Sequence, residues 1–307
     1  MPEEFLLKTP EAEISPWAEN APEAEKRQFA HESENIELAL LAEAIYRKYG
    51  YDFRNYARPT FRRRVAHRMN AAGMSSISEM THALLFDKSF FDTLVLDFSI
   101  TVTDMFRDPS FYRALRNVVM PQLKLLPHVK IWHAGCATGE EVYSTAIVLL
   151  EEGVYDKTQI YATDYNEAVL RKAKEGIFPI SRVKAYTYNY QKAGGIESFS
   201  DYYRAGGQSV SIAKKLAENI VFFDHNLATD GVFAEIDVIM CRNVLIYFNR
   251  DLQNRVVNLF WDSLTDGGFL CLGSKETVRF LDCSPDFEDT VKEEKIYRKK
   301  SVMAGGE

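Results

Sequence analysis

From Val129 onward the chain alternates short apolar runs with amphipathic stretches, and that alternation constrains its fold more than any other feature. Val129-Lys-Ile-Trp-His133, Gln159-Ile-Tyr-Ala-Thr163, Ile220-Val-Phe-Phe223, Ile236-Asp-Val-Ile-Met-Cys241 and Gly268-Phe-Leu-Cys-Leu272 read as strands. Glu140 to Glu151, Glu167 to Lys174 and Asp251 to Leu264 read as helices. Strands that alternate with helices pair in parallel, and ligands collect beyond their carboxyl ends. The predicted fold class is α/β with a doubly wound sheet. Between the second helix and the strand at Ile236 lies a stretch rich in Tyr and Gly, with strand-like Gln208-Ser-Val-Ser-Ile212, which reads as an inserted β subdomain over residues 178–221.

The first hundred residues have a different character. Residues 1–31 hold four prolines among many glutamates with no apolar periodicity and read as an extended or disordered tail. Residues 32–98 carry helical spacing, beginning with Ile36, Leu40, Leu41, Ala44, Ile45 and Tyr49 ahead of Gly50, and read as an all-α domain. Residues 99–300 form the α/β domain, and 301–307 a short tail.

A net charge of −7 argues against nucleic acid as a partner, since duplex binding draws its affinity from many cationic phosphate contacts. The apolar run Ala146-Ile-Val-Leu-Leu150 is far shorter than the ~20 residues that span a bilayer, so neither membrane insertion nor export is expected. Cys136, Cys241, Cys271 and Cys283 form no CxxC pair and read as reduced core thiols of a cytoplasmic protein, and the histidines lack metal-ligand spacing, so no metal is expected. The chain is expected to be a monomer.

The chemistry concentrates at the strand ends. After the first strand comes Gly135-Cys-Ala-Thr-Gly139-Glu140, a turn whose glycines let the backbone approach a nucleotide-like ligand. Neither a dinucleotide fingerprint nor a phosphate loop fits, because Glu140 stands where the latter needs lysine. An acid facing the ligand suits a cationic, hydroxylated molecule such as S-adenosylmethionine; a plain turn with a glutamate at a helix N-terminus is the bland alternative. Asp164, ending the second strand, stands where a ribose-hydroxyl acceptor is usual, and Asp224-His-Asn226-Leu227 follows the next strand. Arg242 and Asn243 interrupt an apolar run, where burial without partners would be costly, and read as ligand contacts.

Four ordered motifs together resemble the CheR chemotaxis-receptor methyltransferases: Ile100-Thr-Val-Thr103-Asp-Met-Phe-Arg107, Ala134-Gly-Cys-Ala-Thr-Gly-Glu-Glu-Val-Tyr-Ser144, Ala162-Thr-Asp164 and Cys241-Arg-Asn-Val-Leu-Ile-Tyr-Phe248. The resemblance spans Asn35 to Arg298. It implies an all-α N-terminal domain ahead of a methyltransferase sheet with a small β subdomain. It also implies transfer of a methyl group from S-adenosylmethionine to glutamates on the cytoplasmic helices of methyl-accepting chemoreceptors, leaving S-adenosylhomocysteine. By this similarity the cofactor contacts would be Thr101, Thr103, Arg107, Gly135, Glu140, Asp164, Asn226, Leu227, Arg242 and Asn243. Arg107 and Tyr247 would be the catalytic pair. Thr101 departs from the family's usual asparagine, and Gly273-Ser-Lys-Glu276 departs from Gly-x-Ser-Glu, so that loop is left outside the expected site.

Arg54, Arg58, Arg62, Arg63, Arg64 and Arg68 fall in one short stretch. With Phe61, Val65, Met69 and Ala72 as a buried stripe, Arg63, Arg64, His67 and Arg68 would share an exposed arc suited to an acidic substrate helix. The β insertion reads as a receptor-docking element apart from the cofactor site. The rival readings are an S-adenosylmethionine-binding adaptor and a small-molecule carboxyl methyltransferase.

Overall fold

The computed structural model describes residues 22–98 and 103–301 and resolves two compact units, 1–98 and 99–307. Most of the expected acidic tail, residues 1–21, lies outside the described residues. Its expected end at His31 does not hold, because α1 (Glu23–Tyr49) starts at Glu23. Pro22 sets the entry, and Glu23 and Glu25 sit in the first turn, where the helix dipole favours acids. These polar residues lack apolar periodicity because they are exposed, not because they are unfolded. The core side of α1 carries Leu38, Leu41, Ala42 and Ile45, whereas Ile36 and Leu40 point outward.

The rest of the first unit is α2 (Arg58–Ala72), α3 (Ile77–Phe86) and α4 (Lys88–Phe98). Pro59 opens α2, and Phe61, Val65 and Met69 are its buried stripe, as their spacing requires. Ser76 caps α3 by accepting from the Glu79 N–H at 3.1 Å, while the Glu79 carboxylate reaches back to the Ser75 N–H at 2.9 Å. The Tyr49 ring stacks on Phe91 and its hydroxyl donates to the Leu84 carbonyl, tying α1 to both α3 and α4.

In the second unit α5 (Pro109–Ala114), a π-helical turn and α6 (Met120–Leu123) lead into β1 (Val129–Ala134). Then follow α7 (Glu140–Glu151), β2 (Thr158–Asp164) and α8 (Glu167–Glu175). The insertion comes next as β3 (Ile177–Pro179), α9 (Val183–Lys192), β4 (Tyr203–Gly206) and β5 (Ser209–Ile212). Then come β6 (Ile220–Asp224), β7 (Ile236–Cys241), α10 (Arg250–Ser263), β8 (Leu264–Leu272), β9 (Phe287–Val291) and β10 (Ile296–Lys299). The main sheet has the order β6-β2-β1-β7-β8-β10-β9, its first five strands parallel and the last two joined antiparallel. Strand order reverses beside β1, which opens a crevice beyond the carboxyl ends of β1, β2 and β7.

Helices cover the parallel strands, so β1 is buried at every position but Lys130. Trp132, fully buried, donates from its indole to Thr163 Oγ1 at 2.8 Å across to β2. All four cysteines are free and buried. Among the described residues no helix is long and apolar enough to cross a membrane.

The insertion builds its own sheet, β3-β5-β4, and also a helix, α9, that its Tyr-rich composition did not reveal. It is anchored to the main body by charge. Glu151, at the end of α7 with a side chain 1% exposed, accepts from Arg116 and from the hydroxyls of Tyr190 and Tyr202. Arg116, itself 8% exposed, also pairs with Glu152 at 3.2 Å. Removing Glu151 takes an acceptor from two tyrosine hydroxyls and leaves the buried Arg116 with Glu152 as its remaining carboxylate. Glu151→Ala is therefore expected to cost about 3–5 kcal/mol of stability by chemical denaturation, and a loss below about 1 kcal/mol would show that the anchor is dispensable.

Candidate functional site

The turn after β1 is built from strained backbone. Gly135 (φ 81) and Gly139 (φ 92) are left-handed, and so is Ala137 (φ 49), a side-chain-bearing residue. At Gly135 a Cβ would lie 2.6 Å from Val244 Cγ2, so only glycine lets the β1 and β7 loops meet this closely. Phe106 (φ 53), Asp108 (φ 58) and Asn243 (φ 63) are left-handed too, so four of the five such non-glycine residues among the described residues gather at this edge.

Asp164 ends β2 and holds the turn in place: one carboxylate oxygen accepts from the Ala137 N–H and the other from the Asn166 N–H, each at 3.0 Å. Its carbonyl accepts from the His225 N–H at 3.3 Å, which draws in the turn after β6. Glu140 opens α7 and accepts from the Thr138 hydroxyl at 2.6 Å, with the Tyr186 hydroxyl 3.5 Å away. Burial pushes both acids up, Glu140 to about 7 and Asp164 to about 6, against the hydrogen bonds they receive. Asn226 accepts from the Ala228 N–H, and Leu227 beside it is buried.

Arg242, expected as a ligand contact because its burial without partners would be costly, has protein partners on its Nη atoms, while its buried Nε has no hydrogen-bond partner among the described residues. Its side chain, 2% exposed, pairs with Asp108 at 2.7 Å and Glu141 at 3.1 Å, and lies 4.0 Å over the Phe111 ring. It also donates to the Arg107 carbonyl at 3.5 Å. Burial would raise Glu141, but its hydrogen bond with His133 and the charge of Arg242 hold it below the ordinary glutamate value. Arg242 thereby holds the loop that presents Arg107, whose own side chain is exposed.

Glu276 is the residue that sequence reasoning missed. Buried at 4% exposure, it accepts from the N–H groups of Asn243 at 2.8 Å, Ile246 at 3.2 Å and Gly273 at 2.6 Å. It locks the turn from Asn243 to the half-buried Tyr247, including the left-handed Asn243. The signal was present as an acid four residues beyond β8, but the shifted serine of its motif drew attention away.

The structure thus gathers Thr103, Arg107, Gly135, Glu140, Asp164, Asn226, Leu227, Arg242, Asn243 and Tyr247 on the loops at one sheet edge. Thr101 lies outside the described residues. Arg63, Arg64 and Arg68 belong to the other unit, and the expected exposed arc is narrower than its spacing implied. Arg63 and His67 are exposed, whereas Arg64 and Arg68 are half-buried and Arg68 pairs with Asp97 at 3.2 Å.

Two family models match the chain, the CheR methyltransferase all-alpha domain over residues 36–99 and the CheR methyltransferase SAM-binding domain over residues 101–293. The chain is 47% identical over 265 residues to a Pseudomonas putida protein provisionally named methyltransferase Cher3, covering 86% of this chain and 97% of that one. It is 29% identical over 260 residues to the chemotaxis protein methyltransferase of Borreliella burgdorferi, covering 79% of this chain and 88% of that one. With the chemotaxis protein methyltransferase of Listeria monocytogenes the identity is 27% over 236 residues, covering 76% and 87%. The cofactor is S-adenosylmethionine. Glu140 and Asp164 fit it, since two desolvated carboxylates, one opening α7 and one ending β2, suit a ligand with an ammonium group and a ribose diol.

If they hold such a ligand, both acids would do so best as carboxylates, which accept stronger hydrogen bonds than their protonated forms. Protonation below about pH 7 for Glu140 and below about pH 6 for Asp164 therefore opposes binding. The calorimetric Kd of S-adenosylhomocysteine should rise about tenfold or more between about pH 8 and about pH 5.5, and Glu140→Gln should remove the upper step. A flat profile would exclude these acids from the ligand. Glu276→Ala, which strands three N–H groups, should cost about 3 kcal/mol or more in thermal unfolding analysed as a two-state transition, and an unchanged Tm would contradict the lock.

Proposed function

The chain belongs to the CheR methyltransferase family, and from that premise we propose that it esterifies glutamate side chains on the cytoplasmic helices of a methyl-accepting chemoreceptor. It would act in the cytoplasm as a protein-glutamate O-methyltransferase and leave S-adenosylhomocysteine. The reading is supported most by a separation of charge at one sheet edge. Two buried acids suit a cationic, hydroxylated donor, and an exposed arginine on the neighbouring loop suits an anionic acceptor.

S-adenosylmethionine, when bound, supplies an electrophilic methyl group on its sulfonium sulfur. Glu140 and Asp164 would hold its polar ends, with Thr101, Thr103, Asn226, Leu227 and Asn243 as further contacts. A glutamate acceptor is already ionised near pH 7, so the site needs no general base. What the protein contributes is alignment of the reacting groups and exclusion of water.

The transfer neutralises the acceptor's charge, so a strong carboxylate clamp would stabilise the ground state and slow the reaction. One exposed cation fits that limit. Arg107 supplies it, and the charge of Arg242 stays engaged below with Asp108 and Glu141. Tyr247 stands on the turn locked by Glu276 and would orient the acceptor from the β7 side. Arg63, with Arg64 and Arg68 beside it, would attract a glutamate-rich receptor helix, and an attraction of this kind weakens with salt.

Mass spectrometry of a receptor cytoplasmic fragment incubated with the full chain and cofactor tests the reading. One added methyl per modified glutamate is expected, with kcat falling by about two orders of magnitude or more in Arg107→Ala while the chain stays folded. Reversal of Arg63 and Arg64 to glutamate should raise the receptor KM and flatten its salt dependence. A fragment left unmodified by the active chain, or methylated only off glutamate, would overturn the assignment.

A further inference from the structure

The helix of the insertion reaches into the site instead of standing apart from it. Arg182, just ahead of α9, pairs with Asp104 and donates from Nη2 to the Thr103 carbonyl at 3.4 Å. Asn189 Nδ2 donates to the Met105 carbonyl at 3.2 Å. Between them Tyr186, buried to 1% exposure, sets its hydroxyl 3.5 Å from Glu140 Oε1 and against the Arg182 side chain. Residues 182, 186 and 189 stand four and three apart, so they share one helical face. That face touches three consecutive residues of the loop leading to Arg107 and the acid that opens α7.

The same loop is held from its far end by Arg242, through the Arg107 carbonyl and the Asp108 carboxylate. Between the two grips Met105 and Phe106 are buried, and the left-handed Phe106 donates its N–H to Ser144 Oγ at 2.9 Å. Strained backbone of this kind persists only where its surroundings over-determine it. The Arg182–Asp104 pair is more than a third exposed on both sides, and exposed pairs contribute little to global stability. Its consequence is local, in where the loop sits.

We propose that Arg182, Tyr186 and Asn189 are positioning residues for methyl transfer, clamping the Thr103–Arg107 loop to Glu140 so that the insertion sets the geometry of the arginine-bearing loop. The proposal rests on the reading of Arg107 and Glu140 given above. It makes the insertion part of the reaction centre's support, so a displacement of α9 would pass directly to Arg107.

The test uses the full chain, with Arg182→Met, Asp104→Asn, the double variant, Arg182→Lys, and Lys130→Gln as a control, an exposed residue near the start of β1 at the strand end away from the site. Arg182→Met should lower kcat about tenfold or more with the receptor KM changed by less than about threefold, because displacement of a loop by ~1 Å misaligns the reacting groups. The double variant should lose no more than the worse single variant, Arg182→Lys should recover most of the rate, and Lys130→Gln should match the parent. Independently of turnover, amides of residues 105–108 should exchange hydrogen about tenfold faster in Arg182→Met. Unchanged kcat and exchange, multiplicative losses in the double variant, or a loss confined to receptor KM would overturn the clamp. A parent chain that transfers no methyl group would overturn the underlying reading instead, a result distinct from an active parent whose variants match it.

Discussion

The buried charge of Arg242 is the constraint on which the rest of the site depends. A guanidinium taken out of water is tolerated only where carboxylates and hydrogen bonds compensate it, and here they come from Glu141 at the start of α7 and Asp108 at the end of the Arg107 loop. Three elements far apart in sequence, β7, α7 and that loop, are thereby joined at one point. The Phe111 ring below and the Arg107 carbonyl complete the setting. A packed apolar side chain could fill the same space, but it would not fix the loop's direction, which hydrogen bonds at given angles do.

Two other devices fix the edge around it. Asp164 gathers the β1 turn, the start of α8 and the turn after β6, and Glu276 gathers the turn after β7. Both are desolvated acids satisfied by backbone N–H groups, and burial raises both. The left-handed residues Phe106, Asp108, Ala137 and Asn243 sit beside these anchors, where their strain is compensated. A reaction that demands alignment and no proton transfer matches a site whose polar groups are spent on holding loops still.

The parallel strands and their helices were legible because period and length are local properties: α7 and β7 begin and end where their apolar patterns do. The positions of Glu140, opening α7, and Asp164, ending β2, were legible because they sit at the ends of those local patterns. What was not legible depends on partners distant in sequence. The protein partners of Arg242 could not be read because Asp108 lies 134 residues away, and Glu276 looked irrelevant because its N–H partners lie on another strand's loop. Arg68 read as exposed from helical spacing, whereas its side chain turns to Asp97 on α4. The start of α1 was missed because an exposed, glutamate-rich helical end carries no hydrophobic signal. The antiparallel β10 and β9 were missed because strands of four and five residues show little alternation.

The central claim is that the acceptor is a carboxylate and the product an ester. Its most direct test is alkali treatment of the receptor fragment after incubation with the chain and methyl-tritiated cofactor. Esters hydrolyse under mild alkali, so the account predicts that the label leaves the protein as volatile methanol. Label that stays on the receptor, as methylated nitrogen or an ether would keep it, would contradict the account.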